Sequence, residues 1–127
     1  MSEALNKLIE IEKDAIEFGF EWPNEKAILQ QAISECTEIQ EAIENNESSD
    51  RIQEEIGDLL HAAISLCIFA GFDPEQTLNN LVKKFKTRMD NLKLVTKERK
   101  LLTLKGQSTE FMLELWDEAK NLDQKIQ

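Results

Sequence analysis

Apolar residues recur along this chain at steps of three and four and almost never alternate. That spacing gathers them on one face of an α-helix, whereas alternation would mark a strand. Leu5, Leu8, Ile9, Glu12, Ala15 and Ile16 fall at helical spacing and define a first helix from about Ser2 to Phe18, with Gly19 as its stop. Gly19-Phe20-Glu21-Trp22-Pro23 follows as a loop whose two aromatics are expected to be buried. Asn24 caps a second helix that runs to about Asn45, and the polar stretch from Asn45 to Ser49 is a connection. A third helix starts near Asp50, with Gln53 placed for a capping box. Beyond Asp58 it is almost wholly apolar, from Leu59 to Ala70. A helix apolar all round is expected to be buried all round, at the centre of the fold or between its own subunit and a partner. Asp73-Pro74-Glu75-Gln76 opens a fourth helix with a cap, Pro at the first helical position and Gln two residues later. Leu78, Leu81, Val82, Phe85 and Met89 are expected inward on it and its basic cluster outward. The stretch from Lys93 to Gly106 reads equally as helix, loop or both. Ser108 caps a last helix bearing Phe111, Met112, Leu115, Trp116, Ala119 and Leu122. The pattern predicts an all-α fold.

Two of these apolar stripes are interrupted by acids. Ile28, Ala32, Glu35, Ile39 and Ala42 share a face of the second helix, and Ile52, Glu55, Leu59, Ala62, Leu66 and Phe69 share one of the third. Glu38 and Asp58 stand three residues after Glu35 and Glu55, on the same sides of their helices. One such pair is usually a solvated face. Two, each set in an apolar stripe of consecutive helices, place four carboxylates together when the helices pack. Desolvated like charges shift their pKa values or recruit a cation. A set made of oxygen ligands alone suits Mg2+ or Mn2+ better than Zn2+.

Length and charge narrow the picture further. The chain has 127 residues, enough for one domain with a real core, so residues 1–127 are read as a single domain. No apolar run is long enough to span a bilayer, and Met1-Ser2-Glu3-Ala4-Leu5 lacks the basic start of a signal peptide, so a cytoplasmic protein without a membrane partner is expected. Cys36 and Cys67 are expected to be buried, reduced thiols, since no second Cys or His stands at ligand spacing. The net charge of −10 argues against nucleic acid as a partner. From Met1 to His61 there are 16 acids and 4 bases, whereas Lys83 to Lys105 carries 9 bases and 2 acids. That asymmetry suits a polyanion held through a metal on one side and Lys or Arg on the other, or simple charge complementarity within the chain.

Four ordered motifs together resemble the MazG-like nucleotide pyrophosphohydrolases, an all-α family. Gly19-Phe20-Glu21-Trp22-Pro23 looks like that family's loop ahead of the metal motif. Glu35-x-x-Glu38 and Glu55-x-x-Asp58, with Gly57 and Leu59-Leu60, look like the metal motif itself. Asp73-Pro74-Glu75 with Lys84-Phe85-x-x-Arg88 looks like the phosphate-binding segment, and Leu115-Trp116-Asp117-Glu118-Ala119-Lys120 like the C-terminal helix that contacts nucleotide. Ser34, Val82 and His61 depart from the family's usual Glu, Asn and apolar residue.

The resemblance implies a four-helix-bundle-like fold with an additional C-terminal helix. It implies hydrolysis of a nucleoside triphosphate, ribose or deoxyribose, to monophosphate and pyrophosphate, with Mg2+ and in a homodimer or larger assembly. House-cleaning of non-standard nucleotides is one role of such an enzyme. On this reading Glu35, Glu38, Glu55 and Asp58 are the metal-binding and catalytic residues, and Lys84, Arg88, Trp116 and Lys120 bind substrate. Lys84 and Arg88, like Trp116 and Lys120, are four residues apart and share a helix face. His61 is expected to line the pocket, because hard cations prefer oxygen. The alternative is a noncatalytic helical module that binds metal or nucleotide and has lost turnover, and Ser34 and Val82 favour it.

Overall fold

In the computed structural model, which describes residues 3–126 and the side chains through Asp123, five helices follow one another: α1 (Glu3–Phe18), α2 (Glu25–Glu44), α3 (Ser49–Phe69), α4 (Pro74–Glu98) and α5 (Thr109–Ile126). There is no strand among the described residues, and the expected all-α class holds. Ser2, expected to open α1, lies outside them. Residues 1–77 and residues 78–127 form two compact units, with the boundary inside α4.

The ends of the helices are set by local chemistry. Gly19 takes φ +101°, which an L side chain resists, and so lets the Gly19 and Phe20 amides turn back onto the Ile16 and Ala15 carbonyls at the end of α1. Asn24 Oδ1 accepts from the Ala27 amide at the start of α2. α3 begins one residue earlier than expected, capped by Ser48, whose Oγ accepts from the Arg51 amide. Asp73 and Ser108 accept from the Glu75 and Phe111 amides at the starts of α4 and α5, as expected. α4 continues to Glu98 and ends in a turn with Lys100 at φ +62°, so the ambiguous stretch is helix first and loop afterwards.

The first unit is organised around the α2–α3 pairing, with Ile28, Ala42 and Ala62 buried. α1 is tied to α3 by polar contacts from Glu12 to His61 and Ser65. The expectation that α3 is buried all round fails for the single chain: Ile56, Leu60 and Phe69 are exposed. The predicted burial of Phe20 fails too, and Trp22 is half-buried. Cys36 is exposed rather than buried, and Cys67 is half-buried. In the second unit α4 and α5 bury Val95, Leu115 and Ala119. Asn91, also buried, donates to Asp123 and to the Ala119 carbonyl, a polar tie between the two helices. Leu78, Leu81, Val82 and Phe85, expected inward, are exposed, while Met89 is half-buried. Lys83 and Lys84 stand between Val82 and Phe85 on this helix. Among the described residues no single helix is long and apolar enough to cross a membrane.

Candidate metal and nucleotide site

α2 and α3 bring Glu35, Glu55 and Asp58 together, with one carboxylate oxygen from each within 4.8 Å of the others. Glu35 is 6% exposed and Glu55 3%, because both sit on the apolar stripes through which the two helices pack, while Asp58 opens to solvent. The two buried carboxylates are held alike. Gln31 Nε2, one turn earlier on α2, donates to Glu35 Oε1 at 2.6 Å. Arg51 Nη2, one turn earlier on α3, lies 2.7 Å from Glu55 Oε1. Each therefore has one oxygen fixed by its own helix, and the other, Oε2, is buried without a hydrogen-bond partner.

Glu38 joins this group. Its carboxyl is pushed up to about 7 by the Glu55 and Glu35 carboxylates it stands against. Near neutral pH a proton on Glu38 supplies part of the positive charge that the cluster lacks. The residues fit a hard divalent cation: the donors are all carboxylate oxygens, two of them buried and unsatisfied. Three of the four sequence-predicted acids thus share one cluster, and the fourth, Glu38, stands exposed beside its two buried members.

The acids open onto a cavity of about 660 Å3, large enough for a small ligand and contained within the first unit. Glu35 and Asp58 line it on α2 and α3, Leu8, Ile11 and Glu12 on α1, and Trp22 in the loop. Glu12, His61 and Ser65 form a polar network in its wall. His61 Nε2 and Ser65 Oγ both bond to Glu12 Oε1, the histidine at 2.6 Å. Sequence reasoning gave Glu12 no role. Its signal was the one used for Glu35, an acid in an apolar stripe. Its partners, however, lie 49 and 53 residues further on.

Of the other predicted residues, Lys84 is exposed on α4. Arg88 Nε donates to Asp123 of α5 at 3.2 Å. Trp116 packs against Phe85 with ring centroids 6.2 Å apart. Lys120 lies 3.4 Å from Asp117. All four belong to the second unit.

Known proteins match this sequence. The family profile described as the MazG nucleotide pyrophosphohydrolase domain matches residues 24–93, which include all four acids, Lys84 and Arg88. The nucleoside triphosphate pyrophosphohydrolase/pyrophosphatase MazG of Thermotoga maritima is 30% identical over 121 residues, covering 95% of this chain and 46% of that protein. A nucleoside triphosphate pyrophosphohydrolase of Escherichia coli K12 is 28% identical over 118 residues, covering 92% of this chain and 44% of that protein. The chain thus spans a little under half the length of these curated relatives. With the profile running across more than half of its residues and across its whole acidic cluster, this chain belongs to the MazG nucleotide pyrophosphohydrolase family.

Proposed function

We propose that this chain hydrolyses a nucleoside triphosphate, ribose or deoxyribose, to the monophosphate and pyrophosphate. The observation that carries the reading is the pair of buried, unpartnered carboxylate oxygens on Glu35 and Glu55 beside a cavity large enough for a small ligand. Glu35, Glu38, Glu55 and Asp58 would hold one or two Mg2+, and Mn2+ suits the same oxygens. A bound cation supplies charge neutralisation at phosphate oxygens and a more acidic water. The protein's own part is positional. Gln31 and Arg51 fix one oxygen of each buried glutamate so that the other points at the ligand position. The rest of the cavity wall is largely apolar. Lys84 is a proposed phosphate contact on charge and exposure, and Arg88, Trp116 and Lys120 stay candidates for substrate contact through the family resemblance. Clearance of non-standard nucleotides in the cytoplasm, where triphosphates are made and used, is a role in keeping with this chemistry. The match across residues 24–93 runs through the boundary between the two units, which supports one functional domain.

A homodimer or larger assembly is part of the same proposal. Leu29, Ile56 and Leu60 border an apolar groove on the first unit, and all three are exposed in the single chain. Leu60 alone leaves 62% of its surface in water, on a helix whose other face carries the acids.

The test is product identity. Chromatography after limited turnover with Mg2+ is expected to give monophosphate and pyrophosphate. Diphosphate and orthophosphate would mean attack at the terminal phosphorus. No turnover of any nucleotide, with Mg2+ still bound, would leave the noncatalytic module.

A further inference from the structure

The acids do not account for the Glu12 network, which lies in the same cavity. Glu12 is nearly buried, with 14% of its side chain exposed, and both of its donors converge on one oxygen, Oε1. An ionised carboxylate only accepts, so His61 carries its proton on Nε2 and Ser65 points its hydroxyl hydrogen at Glu12. Glu12 Oε2 receives no hydrogen bond from the described residues. It is a fixed acceptor in a largely apolar chamber. Three neutral side chains of the wall already donate within it: His61 and Ser65 to Glu12, and Gln31 to Glu35. A ligand edge placed here meets an acceptor that needs a hydrogen, and a carbonyl oxygen in its place would face a negative charge.

The spacing along α3 relates this acceptor to the metal acids. Asp58, His61 and Ser65 follow at i, i+3 and i+7, so they share a face. At 1.5 Å per residue, Asp58 and Ser65 stand roughly 10 Å apart along the axis. A phosphate held at the acids would therefore leave the nucleoside to extend along α3 toward Glu12. Leu8, Ile11, Trp22 and Ile68 supply apolar and aromatic surface for a planar ring on the way.

We propose that Glu12, held by His61 and Ser65, reads the nucleotide base through an exocyclic amine. The site then prefers 4-aminopyrimidine and 6-aminopurine nucleotides over their keto counterparts. This rests on the nucleotide reading above and adds a base class to it. Glu12 accepts a hydrogen bond from the amine in the bound state. Its two donors are positioning residues, which keep the carboxylate from turning or recruiting a solvent cation.

The experiment uses the full chain with Mg2+ and two matched pairs of non-hydrolysable α,β-imido triphosphates, cytidine against uridine and adenosine against inosine. Calorimetry reads affinity, and turnover of the natural triphosphates is measured separately. The amino member of each pair is expected to bind at least about tenfold more tightly, since a keto oxygen would set a lone pair against the Glu12 carboxylate where an amine donates to it. Glu12→Gln is expected to shrink that ratio to about threefold or less, because a carboxamide can offer N–H to a keto oxygen. If Glu12→Gln does not fold, the wild-type chain decides. A pyrimidin-2-one triphosphate, lacking both groups, has to bind less tightly than the cytidine analogue. Equal affinities within both pairs, or no binding of any analogue, overturn the proposal. Turnover without base preference overturns it and leaves the pyrophosphohydrolase reading standing. Base preference without turnover does the reverse.

Discussion

Glu35→Gln tests the central inference most directly. In the native chain Glu35 Oε1 takes the Gln31 amide, and Oε2 is buried without a partner next to Glu38 and Glu55. A glutamine keeps the first contact and turns an N–H toward the neighbouring carboxylates. The substitution thus replaces a like-charge contact with a hydrogen bond worth about 1 kcal/mol net. With an unfolding entropy of about 2.1 cal/mol/K per residue, 127 residues give roughly 270 cal/mol/K, so the metal-free variant should melt roughly 4 °C higher than wild type. Metal reverses the order. A cation at a hundredfold excess over its Kd stabilises the native state by about 2.7 kcal/mol, which is roughly 10 °C on the same scale. The variant, with one ligand oxygen replaced by an amide, should gain less than about a third of that at the same Mg2+ concentration. The assay is a melting curve for both proteins, chelated and then titrated with Mg2+. A wild-type curve indifferent to millimolar Mg2+, or a variant with the full wild-type rise, would refute the reasoning.

Two other predictions follow from the same structure. Glu38 holds a proton to about pH 7, above the ordinary value of 4.5, so the folded state binds more protons between those values. Its stabilising contribution in the metal-free protein is fully present below about pH 4.5 and is lost as pH rises through about 7. Calorimetry in buffers of different ionisation heat should therefore show about one proton released on Mg2+ binding at pH 6 and almost none at pH 8.5, and no release at pH 6 would remove Glu38 from the site. For the assembly, light scattering at micromolar concentration should report at least twice the mass of one chain, and Leu60→Lys should reduce it to one; a wild-type monomer would refute the dimer.

The acidic cluster was legible because carboxylates interrupt the apolar stripes of two consecutive helices, and because helical spacing alone puts Glu35 with Glu38 and Glu55 with Asp58. Helix starts at Asn24 and Ser108 were legible for a similar reason, since each cap acts on an amide three residues away. Ser48 was passed over for Asp50 because two good capping residues stand almost side by side, and only the backbone path selects one. Contacts set by tertiary structure stayed hidden. Arg88 shares a helix face with Lys84 in the sequence, but its partner, Asp123, is 35 residues away. The His61 and Ser65 contacts to Glu12 are more distant still. The exposed apolar positions on α3 and α4 show what periodicity cannot say: it identifies a face that avoids water but not what covers it.

All four acids stand between residues 35 and 58 on two consecutive helices, joined by the short turn between Glu44 and Ser49. Forming the cluster therefore requires closing only a short loop, and the entropic cost of closure grows with the logarithm of loop length. Chains rich in such local contacts fold faster than those that depend on distant pairings. A cation bound by the hairpin would favour that pairing by mass action. The same locality makes the cluster portable. A helical hairpin that carries its own ligands and their orienting Gln31 and Arg51 can be duplicated, fused or lent to a longer chain while the rest of the protein changes around it.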